Sequence, residues 1–444
     1  MTTTGPTTFS FDAMKAIQQF KKGTTPLDVV EYLNVGRGIW HEGTLWYLNT
    51  FVSGDRSAVR FVKGAYGAGK THLLYLTAKA ALDRNFVVSY VTAEQANFAK
   101  FETVYRDMIR SLRTRKMVQA EGLDFAAQTN GLKLIIEDWY RNVRLEGEAS
   151  VADRHREAAK VSARVRESID DIDREKHWDA NFRHAVQGYL SNLLAATAEG
   201  EAENDSILRW LQGDPLPRVE TRSFGVYEPI KSTNSRDMFR SLTYMLKEFG
   251  YSGLVVLMDE LERVLEQPPK SRDKAYQTVR QLLDNSDRAG TSSSYILCAV
   301  TPEVLTSAKG FKEYDALWER VKTEVNSSPK LIDKRAIIID LELTPFDRGD
   351  LAKLAHKIRT IHSEALGWDA SLRVGDDVID AYIDQLFSYE LEISKPRVLV
   401  RTITQILEKA EQHPHYDPLA DVTGEITESV EVLKDQRSNA QWEF

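Results

Sequence analysis

AVRFVKGAYGAGKT, residues 58–71, joins a short apolar run to the spacing G-x-x-x-x-G-K-T at Gly64, Gly69, Lys70 and Thr71. Val59, Phe61 and Val62 read as an extended segment entering the turn. The next residues, HLLYLTAKAALDR, read as a helix with Leu73, Leu74, Leu76, Thr77 and Ala80 toward a core. Strand, glycine-rich turn and helix in that order make a phosphate cradle. Glycine lets the backbone wrap the anion, and consecutive N–H groups and the helix N-terminus all point at it. The candidate cradle runs through Gly64, Ala65, Tyr66, Gly67, Ala68, Gly69, Lys70, Thr71 and His72. Lys70 brings a point charge to the β- and γ-oxygens, and the Thr71 hydroxyl is placed to ligate Mg2+.

Working outward, LVVLMDELE reads as a buried strand, Leu254 to Met258, ending in Asp259 and Glu260. Ligands of open α/β sheets lie at the carboxyl ends of the strands, so both carboxylates would share a crevice with the phosphate loop. That is the acidic half of an ATP site: Asp259 for the Mg2+ shell, Glu260 to polarise the attacking water. The bland alternative is a surface acidic pair after a core strand. A further strand, Tyr295 to Val300, ends at Thr301, which could hydrogen-bond the γ-phosphate or the water, or simply terminate the strand before Pro302.

The remaining segments fit around an α/β core with a sheet that is at least partly parallel. A chain of 444 residues holds roughly two to three domains. FDAMKAIQQF places Phe11, Met14, Ile17 and Phe20 at helical spacing, and Thr25 with Pro26 starts a second helix, giving a helical collar over 1–33. Trp40, Trp46 and Tyr47 read as packing residues. The first part of the core covers 34–114, with a second strand at Phe86 to Glu94. From about Phe98 the pattern is helical for a long way, and 115–235 reads as a helical insertion. The core resumes over 236–345, with a fifth strand at Ala336 to Pro345, and is followed by a helical lid, 346–412, and an acidic tail, 413–444.

The net charge of −8 excludes a uniformly basic, DNA-coating surface, though not a local basic groove. One cysteine, Cys298, excludes an internal disulfide and fits a reducing compartment. MTTTGPTTFS lacks the features of a signal peptide, and no apolar run reaches membrane-spanning length, so the expected location is the cytoplasm.

The order of loop, long insert, acid pair, polar strand end and helical lid resembles an AAA+ ATPase. Gly36-Arg37 ahead of the core and Lys395-Pro396-Arg397 in the lid are similar to the origin-recognition and STAND-related branch. The combination of KKGTTPLDVVEYLNVGRG, FVKGAYGAGKTHLL and LVVLMDELE is closer still to the BREX-system ATP-binding family, the BrxC/BrxD-like P-loop proteins of bacterial anti-phage defence islands. The overall length is nearer to the BrxD type. The resemblance covers roughly residues 20 to 115 and 235 to 410. It implies ATP and Mg2+ as ligands and an ATPase working with other defence proteins, such as a helicase or methyltransferase, in a nucleotide-dependent oligomer. It also implies that Gly36 and Arg37 lie by the adenine and ribose, and that Arg397 touches the γ-phosphate. Thr301 would be sensor one, where Asn is commoner. A finger arginine reaching a neighbouring subunit could be Arg320 in YDALWERV; Arg280 and Arg288 are rivals, and a surface ion pair is the alternative. A nucleotide-gated scaffold with little turnover and a DNA-loading initiator or transposition-type ATPase are the competing functions.

His413 and His415 form an H-x-H without a third ligand, which reads as a solvated loop. Arg106, Arg110, Arg113, Arg115 and Lys116, with Arg141 and Arg144, could track phosphates or form a solvated helix face. Within the insertion, Trp139, Tyr140, Trp178 and Tyr189 are interleaved with Arg141, Arg144, Arg154, Arg156, Arg164 and Arg166. Aromatic and arginine side chains anchor interfaces and nucleic-acid contacts, so the insertion is the expected partner or DNA surface. A self-contained helical bundle burying those aromatics is the competing account.

Overall fold

A computed structural model describes residues 12–22, 27–93, 97–125, 129–149, 154–172, 177–286, 293–325, 331–388 and 394–442. The strands are β1 (Ala58–Lys63), β2 (Val87–Thr92), β3 (Leu254–Asp259), β4 (Ser294–Val300) and β5 (Ile338–Asp340). All pair in parallel, in the order β2-β3-β4-β1-β5. The acidic strand β3 and the loop-bearing strand β1 are therefore separated by β4 alone, and all three end at one edge of the sheet.

Both faces of this sheet are covered, as parallel pairing requires. Alternate side chains sort cleanly. Val59 and Phe61 of β1, Leu254, Val256 and Met258 of β3, and Ile296, Cys298 and Val300 of β4 enter one core. Val62, Val255, Leu257, Tyr295, Leu297 and Ala299 enter the other, against the Lys70–Leu82 helix and the helical stretch around Trp40 and Leu48. Burial pushes the Cys298 thiol up to about 12, which leaves it unreactive. Arg60 of β1 is fully buried, and its guanidinium donates to the carbonyls of Ala336 (2.7 Å) and Lys334 (2.9 Å) and to Tyr295 Oη (3.3 Å). It ties β1 to the segment entering β5.

The fifth strand is shorter than the Ala336–Pro345 run suggests. It pairs with β1 alone at the sheet edge, and Asp340 then accepts from the Glu342 N–H at 3.0 Å, turning the chain into a 3-10 segment, Leu341–Leu343. The insertion is helical from Arg115–Glu121 to Arg218–Ser223 among the described residues. It does not stand apart from the sheet, because Ile135, Trp178, Phe182, Tyr189 and Trp210 belong to the same core as β1, β3 and β4. Tyr105 Oη donates to the Leu211 carbonyl at 2.9 Å, pinning the insertion to the Phe101–Arg110 helix.

A separate core holds the Arg348–Leu366, Asp376–Ser388 and Lys395–Gln412 helices of the lid. The Ala13–Lys21 helix also packs there, through Ala16, Ile17 and Phe20. So does the last segment, which is a helix, Val422–Trp442, where the sequence reads as an acidic tail. Ile426 and Leu433 are buried in the lid, and Glu425 accepts from Lys409 Nζ and Tyr416 Oη, each at 2.8 Å. The apolar spacing Val422, Ile426, Val430, Leu433 carries that docking, diluted by acids. Among the described residues no helix is long and apolar enough to cross a membrane. Phe11, Thr25, Pro26, Glu94 and Arg288 lie outside the described residues, as do the side chains of Arg154 and Arg156.

Candidate nucleotide-binding site

The loop between β1 and the Lys70–Leu82 helix has the backbone that its glycines permit. Gly67 and Gly69 have φ of +75° and +90°, a region L-residues avoid, and a Cβ at Gly69 would come within 2.9 Å of Arg37 Nη1. Gly64 N–H donates to the Val300 carbonyl at 3.2 Å, stitching the loop base to the end of β4 and placing Thr301 beside it. Thr301 caps the Pro302–Thr306 helix without a side-chain hydrogen bond to it. Lys70 is buried and curls back, its Nζ donating to the carbonyls of Gly64 (3.1 Å) and Ala65 (3.4 Å).

Opposite the loop, Asp259 ends β3, 4% exposed. Its Oδ2 accepts from Thr71 Oγ1 at 2.7 Å and from Tyr90 Oη at 2.8 Å. The hydroxyl and carboxylate named from the sequence thus meet. Tyr90, on β2, was not legible as a site residue, because a tyrosine in an apolar strand reads as core. Burial, with Asp259 adding to it, pushes the Tyr90 phenol well above its ordinary range, so it remains a donor. Tyr90 also stacks on Phe125 from the insertion, with centroids 5.1 Å apart.

The next acids divide. Glu260 is held at φ +57°, and its Oε2 accepts from Arg263 Nε at 3.2 Å, with the side chain 44% exposed. Glu262, two residues on, points inward: its Oε1 is 3.7 Å from Lys70 Nζ. Burial raises its pKa, opposed by Lys70 and by a hydrogen bond from its own backbone, and reinforced by Asp259 and Glu260.

Two further elements close on the loop. Gly36, at φ +71°, packs against Asp350, and Arg37 donates from Nη1 to the Ala68 carbonyl while lying over the Phe346 ring at 4.3 Å. Burial lowers the Arg37 pKa to about 10, with Asp350 opposing, so it stays charged at neutral pH. Burial first, then Arg37 and Lys357, hold His72 neutral, at about 4. From the lid, Ser394 Oγ donates to the Gly67 carbonyl, and Arg397 lies over the Tyr66 ring at 5.1 Å. The Nε atoms of both Arg37 and Arg397 are buried without a hydrogen-bond partner among the described residues. Two orphaned cationic donors flanking a glycine cradle fit a polyphosphate. The Thr71–Asp259 pair fits Mg2+ delivered with it, since Mg2+ takes few protein ligands and fills its shell with phosphate and water.

Other named residues lie elsewhere. Arg320 donates to Asp284 and to the Ala316 carbonyl, and Arg280 Nε is 3.9 Å from Asp284, so both engage one carboxylate within the chain. Much of the basic cluster is also engaged internally. Arg106 and Arg110 bind Gly213 and Asp214, Arg113 binds backbone carbonyls, and Lys116 and Arg141 share Asp138. The insertion's aromatics are packing residues: Trp178 and Tyr189 are buried, and Trp139 stacks on Phe249 at 4.8 Å. Their helical spacing with apolar neighbours is the signal that separates them from surface anchors.

Searches of curated proteins and of solved structures return no match. A family model for the BREX system ATP-binding protein BrxC/D matches residues 11–425. Nearly the whole chain, including the loop, the acid strand and the lid that enclose the site, falls within that match, and the chain belongs to the BREX system ATP-binding protein BrxC/D family.

Proposed function

We propose that this protein, of the BrxD type, is an ATP hydrolase that couples nucleotide turnover to a multi-protein, DNA-associated defence complex. The observation that carries this reading is the convergence of Lys70, Thr71 and Asp259 at the carboxyl ends of β1 and β3. In this reading the loop from Gly64 to His72 binds the phosphates, with Lys70 on the β- and γ-oxygens and Gly36 and Arg37 toward the base and ribose. Mg2+, held by Thr71 and Asp259, would neutralise charge on the phosphates during transfer. Glu260 turns inward from Arg263 to polarise the attacking water, Thr301 orients it, and Arg397 meets the γ-phosphate from the lid. Arg320 would have to leave Asp284 to serve as a finger for a neighbouring subunit. Exposed arginines of the insertion, Arg141, Arg144, Arg164 and Arg166, are the surface we assign to a partner or to DNA. Such a protein works in the cytoplasm.

The outward, Arg263-bound position of Glu260 favours a second reading, a nucleotide-gated scaffold that turns over slowly. Glu260→Gln separates the two. For the hydrolase, it should retain ATP binding and lower the steady-state rate at least about 100-fold, because the carboxylate acts only on the nucleophile. Turnover at the parental rate would remove Glu260 from the chemistry.

A further inference from the structure

The inference concerns Glu262 and rests on the ATP-binding reading above. Lys70 Nζ is held by two carbonyls and by one carboxylate, Glu262 Oε1 at 3.7 Å. Both side chains are inside the protein, 8% and 24% exposed, so the attraction is only weakly screened. Glu262 Oε2 is buried without a hydrogen-bond partner among the described residues. Leaving one carboxylate oxygen buried and unpartnered is costly, and Lys70 is the cation facing it. Phosphate oxygens drawn to Lys70 Nζ would arrive within a few ångströms of the same carboxylate.

We infer that Glu262 is the internal counterion of Lys70, competing with the nucleotide phosphates for that ammonium group and setting the affinity of the site. Nucleotide binding transfers Lys70 from Glu262 to the phosphate oxygens, and the site binds more weakly than its cradle alone would allow. Glu262 differs in this from Glu260, whose proposed action is on the attacking water and not on ground-state binding.

Calorimetric titration of ADP into wild type and Glu262→Gln, which keeps shape and removes charge, tests the competition. Tighter ADP binding by about three- to tenfold is expected for the variant. Equal or weaker binding by the variant, with wild type binding normally, overturns the inference and leaves the ATP reading intact. If neither protein binds ADP, the ATP reading fails and the inference falls with it. A second readout does not depend on ligand. Lys70→Ala leaves Glu262 without its cation and should lower the melting temperature of nucleotide-free protein, and adding Glu262→Gln to Lys70→Ala should restore part of the loss. Strictly additive melting-temperature changes would show that the two side chains are not coupled, and would overturn the inference independently.

Discussion

Asp259 has its geometry fixed by two hydroxyls, and the one from Tyr90 is the more informative because nothing in a phosphate-loop motif specifies it. Tyr90→Phe keeps the ring against Phe125 and removes only the donor. ATP affinity in Mg2+ should fall about three- to tenfold, the loss of one hydrogen bond to a charged group, while affinity in EDTA is unchanged. An equal loss in both conditions would make Tyr90 a packing residue. A second residue-scale effect concerns acid. His362 is fully buried in the lid, accepts from Trp368 Nε1 at 3.0 Å, and is held at about 4 by burial and by Lys21. Its pKa is depressed on folding, so between about 6.5 and 4 the unfolded chain binds the extra proton and stability rises with pH. Stability therefore falls by on the order of 3 kcal/mol as pH drops from about 6.5 toward 4, with no effect above about 6.5. His362→Gln should flatten the melting-temperature profile over that window.

At the scale of elements, the lid helix Lys395–Gln412 presents its first turn to the phosphate loop through Ser394 and Arg397. Arg397→Ala should weaken ATP binding more than ADP binding, since a charge aimed at the γ-phosphate has no partner once that group has left. Equal weakening in a calorimetric titration would place Arg397 away from the γ-phosphate. The insertion helices make the opposite case. Trp178→Ala should cost about 3–5 kcal/mol of stability in denaturant unfolding, because the ring fills the core that the insertion shares with the sheet.

Across the whole molecule, the phosphate-loop half of the fold was legible because local chemistry dictates it. The phosphate loop requires glycines at positive φ and a lysine at the helix start, and near-continuous apolar strands belong to a sheet covered on both faces. What escaped depends on long-range packing. Tyr90 looks like any strand tyrosine until β2 pairs with β3, Glu262 looks like a second surface acid until its turn folds beneath Lys70, and the insertion's rings resemble interface anchors until they join the sheet's core. The final helix was obscured by acids on its exposed face. The surface we propose for partners is the set of exposed arginines on the insertion. Reversing charge at Arg141, Arg144, Arg164 and Arg166 should reduce DNA or partner binding and its salt dependence while basal ATP turnover survives. Unchanged binding with lost turnover would assign the insertion to the ATPase itself.

The central claim is that Lys70, Thr71 and Asp259 form one site for ATP with Mg2+. Calorimetric titration of ATP in Mg2+ into wild type and Lys70→Ala tests it most directly. Saturable binding at one site per chain by wild type, weakened at least about 100-fold in Lys70→Ala, is expected for a buried lysine on the phosphates. Equal affinity in the two proteins would contradict the account.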